Sequence, residues 1–247
     1  MSTAGLISWL LISWISFYDR QPTPLNNVPM QITPTAQPVL TYLVREPRVA
    51  TTTRKAIILL HGVGSNETDL FGLADQLPTD LYVIAARGPY TLGPGRYAWY
   101  NVDFSSGRPV YDAGQEVISR EHIGQFIADM KQLYKLDTIY LGGFSQGAIM
   151  SYSVGLTHPG SVQGIVALSG RLLEEIKPAV TERTALANLP VFIAHGIQDN
   201  TLPIDYGRSA KRYLDALHVP VSYHEYAMGH SINEVVLRDL NTWFVEH

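Results

Sequence analysis

Short runs of apolar residues recur along the chain beyond residue 38, and segments of mixed polarity separate them. Apolar runs of about four to eight residues predict strands that are buried on both faces of a parallel sheet. The predicted strands cover residues 39–44, 56–60, 81–85, 138–141, 162–168, 191–194 and 221–226. We expect the first of them to lie at an edge of the sheet.

The segments between these strands predict helices. In one of them Ile123, Phe126 and Met130 recur at the spacing of a single helical face, and in another Ser65 or Asn66 is a suitable N-cap. The predicted helices cover residues 66–76, 118–136, 146–156, 206–217 and 232–244. Strands that alternate with helices predict an α/β fold, with a mostly parallel sheet, right-handed crossovers and helices on both faces. Residues 39–247 are therefore expected to form one domain.

The residues before this domain have a different character. Residues 1–20 form a mostly apolar arm without a charged side chain before Asp19, and residues 21–38 contain five prolines that predict an extended linker. The apolar core of the arm is too short to span a membrane, and no basic segment precedes it as in a signal peptide. Docking on the body, on a second copy in a homodimer or on a membrane surface is left open. A cytoplasmic location is favoured, with secretion or membrane association as alternatives.

Composition excludes several kinds of function. The formal net charge is −4 and no run of five Lys or Arg residues occurs, so nucleic acid is not expected as a partner. The chain has no cysteine, which excludes disulfides, thiolate metal ligands and a thiol nucleophile. A nucleophile must therefore be sought among the hydroxyl groups.

The sequence Gly143-Phe144-Ser145-Gln146-Gly147 lies between a predicted strand and a predicted helix. A Gly-x-Ser-x-Gly sequence in this setting is typical of the nucleophile elbow of α/β-hydrolases, where glycines relieve crowding around a strained serine. The alternative is a glycine-rich turn with a capping serine. The strand-to-helix context favours Ser145 as a catalytic nucleophile.

A serine nucleophile needs a histidine base and an acid, which follow it in the order Ser, acid, His in this fold. Asp199 follows the predicted strand 191–194, and His230 follows the predicted strand 221–226. The remaining histidines considered as the base are less suitable by chain order or by position: His122, His158, His218, His224 and His247. Asp205 is the alternative acid, but its place near a helix start is explained by N-capping.

Acyl transfer also needs donors for the oxyanion. The backbone N–H of Gln146 is one candidate, because it follows the nucleophile and begins a helix. The backbone N–H of Val63, in the glycine-rich stretch after the strand 56–60, is the other. An ordinary glycine-rich turn is the alternative there, and His61 is expected to brace this loop.

A long segment over residues 88–109 is rich in glycine and proline and is expected to be an irregular loop. Its aromatic side chains Tyr97, Trp99 and Tyr100 are candidate walls of a substrate pocket, and packing of the loop onto the body is an equal alternative. Only about 20 residues separate the strands 162–168 and 191–194, which predicts that no large cap domain covers the site.

Together these motifs resemble the phospholipase/carboxylesterase family of α/β-hydrolases, which includes acyl-protein thioesterases and small bacterial carboxylesterases. The matching stretches are 60–64 with Asp69 and Leu70, 143–147, 168–170, 195–199 and 229–230. The resemblance spans about residues 56–247 and implies hydrolysis of carboxylic or thioester bonds through an acyl-enzyme, without cofactor or metal. The arm and linker lie outside it.

We therefore expect a serine carboxylesterase that acts on small-molecule esters with short or medium acyl or aryl groups. An acyl-protein thioesterase or a lysophospholipase would use the same residues and remains an alternative. A peptidase would need a charged device that recognises a free terminus, and none is obvious in the sequence. A non-catalytic binding module would be expected to have lost part of the Ser, Asp and His set.

Overall fold

The computed structural model describes residues 38–103, 105 and 110–247. The predicted apolar arm, residues 1–20, lies outside the described residues, and so does the linker apart from residue 38. Within the described residues no helix is both long enough and apolar enough to cross a membrane.

The secondary structure alternates between strands and helices as predicted. The strands are β1 (Tyr42–Arg45), β2 (Lys55–Leu60), β3 (Leu81–Ala86), β4 (Tyr90–Gly93), β5 (Arg96–Ala98), β6 (Val102–Asp103), β7 (Val110–Tyr111), β8 (Thr138–Phe144), β9 (Gly164–Leu168), β10 (Val191–Gly196) and β11 (Val221–Tyr226). The helices are α1 (Glu67–Phe71), α2 (Ala113–Tyr134), α3 (Gln146–Thr157), α4 (Arg183–Leu186), α5 (Asp205–Ala216) and α6 (Glu234–Glu246).

Seven of these strands form the main sheet of the described chain, in the order β1-β3-β2-β8-β9-β10-β11. Strand β1 runs antiparallel to β3 at one edge, and the other neighbours pair in parallel. The predicted edge strand and the mostly parallel sheet are confirmed. Parallel strands end at a common edge, so the segments that follow β8, β10 and β11 meet at the carboxyl edge of the sheet.

Both faces of the sheet are buried, which explains why its central strands are continuous apolar runs. Side chains alternate between the faces along a strand. In β2, Ile58 and Leu60 belong to the core packed beneath α2, α3 and α5, whereas Ile57 and Leu59 belong to the core packed beneath α1 and α6. Each face of the sheet therefore has its own hydrophobic layer.

The structure corrects three of the predicted elements. The helix predicted over residues 66–76 is divided into α1 and a 3-10 turn, Ala74–Gln76. The segment 88–109 is less irregular than expected, because β4 and β5 pair as an antiparallel hairpin and β6 pairs with β7. Gly95 lies in the turn of this hairpin and has φ +67°. Helix α2 begins five residues earlier than predicted, since the Asp112 side chain accepts a hydrogen bond from the Gln115 N–H and caps it.

Between β9 and β10 the chain forms the short 3-10 helix Glu174–Ala179 and helix α4, with no large cap domain among the described residues. This agrees with the prediction from the length of the segment.

Two helical glycines give a matched test of this packing. A Cβ on Gly155 in α3 would lie 2.5 Å from Cδ1 of the buried Ile165, whereas a Cβ on Gly124 in α2 would meet nothing within 4 Å. We expect Gly155→Ala to lower the free energy of unfolding by about 1–3 kcal/mol through overpacking. Gly124→Ala should raise it by about 0.5–1 kcal/mol, because alanine favours the helix. Urea unfolding of both variants measures the difference, and equal effects would contradict the packing described here.

Candidate active site

Ser145 occupies a sharp turn between β8 and α3. Its backbone angles are φ 55° and ψ −116°, in a region that costs a residue with a side chain about 1–3 kcal/mol. Two hydrogen bonds hold this conformation: the Ser145 N–H donates to the Leu168 carbonyl at 3.0 Å, and the Ser145 carbonyl accepts from the Ile149 N–H at 3.1 Å. The predicted strand-turn-helix setting is present, and the serine side chain lies at the carboxyl edge of the sheet.

The glycines around Ser145 are required by close backbone contacts. A Cβ on Gly147 would overlap the carbonyl oxygen of Leu60, and a Cβ on Gly143 would overlap the carbonyl group of Gly147. Strand β2, strand β8 and the first turn of α3 therefore approach one another at the backbone. Any larger residue at either position would push the serine away from the end of β2.

The side chains of Ser145, His230 and Asp199 form one hydrogen-bonded chain. His230 Nδ1 lies 2.6 Å from Asp199 Oδ2, and His230 Nε2 lies 2.9 Å from Ser145 Oγ. A carboxylate only accepts hydrogen bonds, so Nδ1 carries the proton, and the unprotonated Nε2 accepts from the serine hydroxyl. This arrangement can take a proton from Ser145, and it is the one predicted from chain order.

The Asp199 carboxylate is buried, and its surroundings favour the ionised form. Burial alone would raise the pKa of Asp199, but hydrogen bonds from His230 and from the backbone N–H groups of Leu202 and Thr201 outweigh it and hold the pKa below the usual range. The carboxylate is therefore charged near neutral pH and can stabilise an imidazolium on His230.

His195 contacts the loop that carries the acid, and the sequence analysis assigned it no role beyond its place in the matching stretch 195–199. Its Nε2 donates to the Leu202 carbonyl at 2.7 Å and lies 3.5 Å from Asp199 Oδ2. Burial lowers the pKa of His195, so the ring stays neutral. The sequence signal that could have indicated this contact is a histidine four residues before the acid. Its role is to hold the loop 199–202 in place.

The loop after β2 approaches the nucleophile closely. A Cβ on Gly62 would lie 3.4 Å from the Ser145 Cβ, and Gly64 has φ +80°. His61 braces this loop as predicted: Nε2 accepts from the Gly88 N–H at 2.9 Å, which leaves Nδ1 to donate to the Gly62 carbonyl at 2.7 Å. Burial lowers the pKa of His61 and keeps it neutral, as this pattern requires.

A second support ties the same loop to the β4–β5 hairpin. The Gly64 N–H donates to the Tyr97 carbonyl, and the Tyr97 N–H donates to the Ser65 carbonyl, both at 2.8 Å. The Arg87 guanidinium forms a two-pronged ion pair with the buried Glu67 and lies 4.6 Å from the centroid of the Tyr97 ring. The backbone and ring of Tyr97 thus hold the loop. The sequence alone did not identify Glu67 or Arg87.

The structure corrects the predicted role of two aromatic residues. Trp99 and Tyr100 are buried, with 0% and 2% exposure, and belong to the hydrophobic core rather than to an open pocket wall. Trp99 Nε1 donates to the His61 carbonyl. The Gln146 side chain accepts from the Trp99 N–H and donates to the Tyr100 carbonyl, which ties the start of α3 to this segment. Packing onto the body, the alternative named for these residues, is what occurs.

The competing acid lies elsewhere. Asp205 is the first residue of α5, its side chain is 86% exposed, and its closest ionic partner is Arg208 at 3.9 Å. It does not cap the helix with its side chain, contrary to the explanation given for it, because Ile204 is the N-cap. No group of three or more histidine, aspartate and glutamate side chains suited to a metal ion occurs in the part of the chain that the structure describes.

Comparison with known proteins agrees with this geometry. The family model described as Phospholipase/Carboxylesterase matches residues 44–247. Acyl-protein thioesterase 1 of Mycosarcoma maydis is 31% identical over 229 residues, which cover 82% of this chain and 95% of that protein. Acyl-protein thioesterase 1 of Emericella nidulans is 29% identical over 206 residues, covering 74% of this chain and 86% of that protein. The crystal structure of esterase PE8 has a TM-score of 0.72 at 26% identity, covering 84% of this chain and 98% of that one.

Replacement of the acid tests the hydrogen-bonded chain directly. Asp199→Asn removes the charge and no longer selects the tautomer of His230 in which Nε2 is unprotonated, so Ser145 should lose its activated state. We expect labelling of Ser145 by a fluorophosphonate probe to slow by about 10³- to 10⁴-fold. Asp205→Asn is the matched control and should label at the rate of the unaltered chain. Slow labelling of Asp205→Asn together with normal labelling of Asp199→Asn would identify Asp205 as the acid instead.

Proposed function

We propose that this chain, which belongs to the phospholipase/carboxylesterase family, hydrolyses carboxylic esters through an acyl-enzyme on Ser145. The observation that carries the proposal is the continuous hydrogen-bonded chain from Ser145 through His230 to Asp199 at the turn between β8 and α3. A non-catalytic binding module would be expected to lack part of this set. Its completeness argues for an enzyme.

In the first half of the reaction, His230 Nε2 accepts the Ser145 proton while Oγ attacks the acyl carbon. The charge that develops on the imidazole is matched by the Asp199 carboxylate, whose low pKa keeps it ionised. His230 then gives its proton to the leaving alcohol. In the second half, water attacks the acyl-enzyme while His230 accepts the water proton. The bond from the acyl carbon to Oγ then breaks, His230 returns the proton to Ser145 Oγ, and the carboxylic acid leaves.

The backbone N–H groups of Val63 and Gln146 are proposed as the oxyanion donors. Support comes from position: Gln146 begins α3 directly after Ser145, and Val63 follows Gly62, which packs close to the Ser145 side chain. Neither N–H has an assigned protein acceptor among the described residues. Donors already fixed by His61 and by the Gln146 side chain need no reorganisation when the charge develops.

A thioester substrate is the second candidate, because both relatives named above are called acyl-protein thioesterases. The same residues would attack a thioester carbonyl, and a lysophospholipid ester differs only in its alcohol. We favour esters with short or medium acyl groups, since the segment between β9 and β10 supplies little apolar surface to cover a long chain. Tyr97, which is half-buried, stays a candidate wall of the pocket.

Contact of the arm, residues 1–20, with the body, with a second copy or with a membrane surface stays a proposal, and so does a cytoplasmic location. Neither enters the reaction proposed here.

Removal of the nucleophile is the central test. Ser145→Ala should lower kcat/KM for a p-nitrophenyl ester by at least about 10⁴-fold, because no acyl-enzyme can form. The melting temperature should stay within a few degrees, since alanine occupies the same space. Ser161→Ala, in the exposed turn after α3, is the control and should keep full activity. Retention of most of the activity by Ser145→Ala would refute the proposal.

Acyl-chain length tests the substrate class. With p-nitrophenyl esters of acetate, butanoate, octanoate and palmitate, kcat/KM should be highest at the short or medium chains. Each buried methylene contributes about 0.8 kcal/mol, and this gain stops once the chain extends beyond the covered pocket.

A maximum at palmitate would contradict the substrate class while leaving the reaction intact. A butanoyl thioester measured beside the butanoyl ester distinguishes the two candidate functions. A much higher kcat/KM for the thioester would favour the thioesterase.

A further inference from the structure

A cleft of about 420 Å³ lies between the segment that follows β9 and helix α5. Arg171 and Lys177 line one side of it, and Tyr206, Arg212 and Tyr213 line the other. The residues from α5 recur at helical spacing and therefore share one face of that helix. The cleft has no role in the mechanism described above.

One wall of the cleft follows closely in the chain on a segment that holds the nucleophile. The Leu168 carbonyl, at the end of β9, accepts from the Ser145 N–H, and Arg171 follows only three residues later. Between them Ser169 has φ 49°, and a Cβ on Gly170 would lie 2.6 Å from the Ala148 Cβ in the first turn of α3. The segment that leads from β9 to Arg171 is therefore packed against α3, the helix that begins directly after the nucleophile.

The opposite wall begins at the loop of the acid. Pro203 lines the cleft and directly follows Leu202, whose N–H donates to Asp199 Oδ1 at 2.8 Å. The two walls of the cleft are thus joined, within three residues, to segments that bind Ser145 and Asp199 at the carboxyl edge of the sheet.

Three cations, Arg171, Lys177 and Arg212, and two acids, Glu174 and Asp205, line the cleft. Within the described residues no carboxylate oxygen lies within 4.0 Å of the guanidinium nitrogens of Arg171 or Arg212. Of the two acids, Glu174 binds Lys177 at 2.6 Å, and Asp205 is 86% exposed and lies 3.9 Å from Arg208. On a chain with a net charge of −4, this is a local positive site.

Aromatic rings contact two of the three cations of the cleft. The Arg171 guanidinium lies 5.8 Å from the centroid of the Tyr206 ring, and Lys177 Nζ lies 4.8 Å from that of Tyr213. Such contacts orient a cation without neutralising it. A guanidinium that is positioned but unpaired presents a planar fork of donors that matches a carboxylate or a phosphate.

We propose that this cleft binds an anionic group of the ester substrate, a carboxylate or a phosphate, through Arg171 and Arg212. The inference rests on the proposed function, because it assigns the preferred substrate of the same site. The enzyme then selects esters that carry a negative charge at a distance from the scissile bond.

Matched substrate pairs test this preference. Phenyl butanoate is compared with monophenyl glutarate, which adds a carboxylate to the acyl chain, and monobutanoyl glycerol is compared with its phosphate ester. The unaltered chain should show a higher kcat/KM for at least one charged member. Arg171→Gln and Arg212→Gln should each lower that value by about ten-fold or more, mainly through KM, with less than about two-fold change for the neutral partner.

Arg208→Gln is the control for net charge, because Arg208 lies one turn before Arg212 on α5 and is already paired with Glu225. It should leave the charged-to-neutral ratio unchanged. If the charged member is preferred only in the phenyl ester pair, the bound anion is a carboxylate. If it is preferred only in the glycerol pair, the bound anion is a phosphate. Equal kcat/KM for both members of both pairs, or an equal loss in all three variants, would overturn the inference. Failure to cleave any of the four esters would instead refute the proposed function.

Discussion

The contact between Gly147 and the Leu60 carbonyl is the constraint on which the rest of the site depends. It brings the end of β2 against the first turn of α3 at backbone distance, and no side chain can be accommodated there. Ser145 is held at a positive φ by this packing together with its hydrogen bonds to Leu168 and Ile149. The cost of that conformation is offset by the two hydrophobic layers that fix β2 and β8 in the centre of the sheet.

The same contact also sets the position of the proposed oxyanion loop, because residues 61–66 leave β2 immediately after Leu60. Two buried histidines then stabilise the loops on either side of the nucleophile. Desolvation keeps His61 and His195 neutral, so each ring works as a fixed donor with a defined tautomer rather than as a charge. Donors and acceptors that are already oriented cost no reorganisation when charge develops on a substrate, and this makes preorganisation the property that the fold supplies.

Much of this was predictable from the sequence, for identifiable physical reasons. The buried strands of a parallel sheet are apolar runs, and the order Ser145, Asp199, His230 follows from the strand ends that each residue must occupy. The role of the aromatic residues in segment 88–109 was harder to predict. The sequence around Trp99 and Tyr100 is the same whether their side chains line a pocket or pack in a core. The pairing of Glu67 with Arg87 and the bridge made by the Gln146 side chain join residues 20 and 46 or more positions apart. No local pattern signals contacts of that kind.

This difference explains why the reaction class follows from the chain more readily than the substrate does. The chemistry of acyl transfer imposes backbone demands, such as glycines at a close approach and a serine at a positive φ, and these leave short motifs. Substrate selection imposes no such demand. It depends on which side chains from separate elements face one cleft and on which charges remain unpaired there. Arg171 and Arg212 lie 41 positions apart, on different elements, and only the fold places them around the same space. Selectivity for a charged ester can therefore change by substitution at such positions while the turn at Ser145 stays the same.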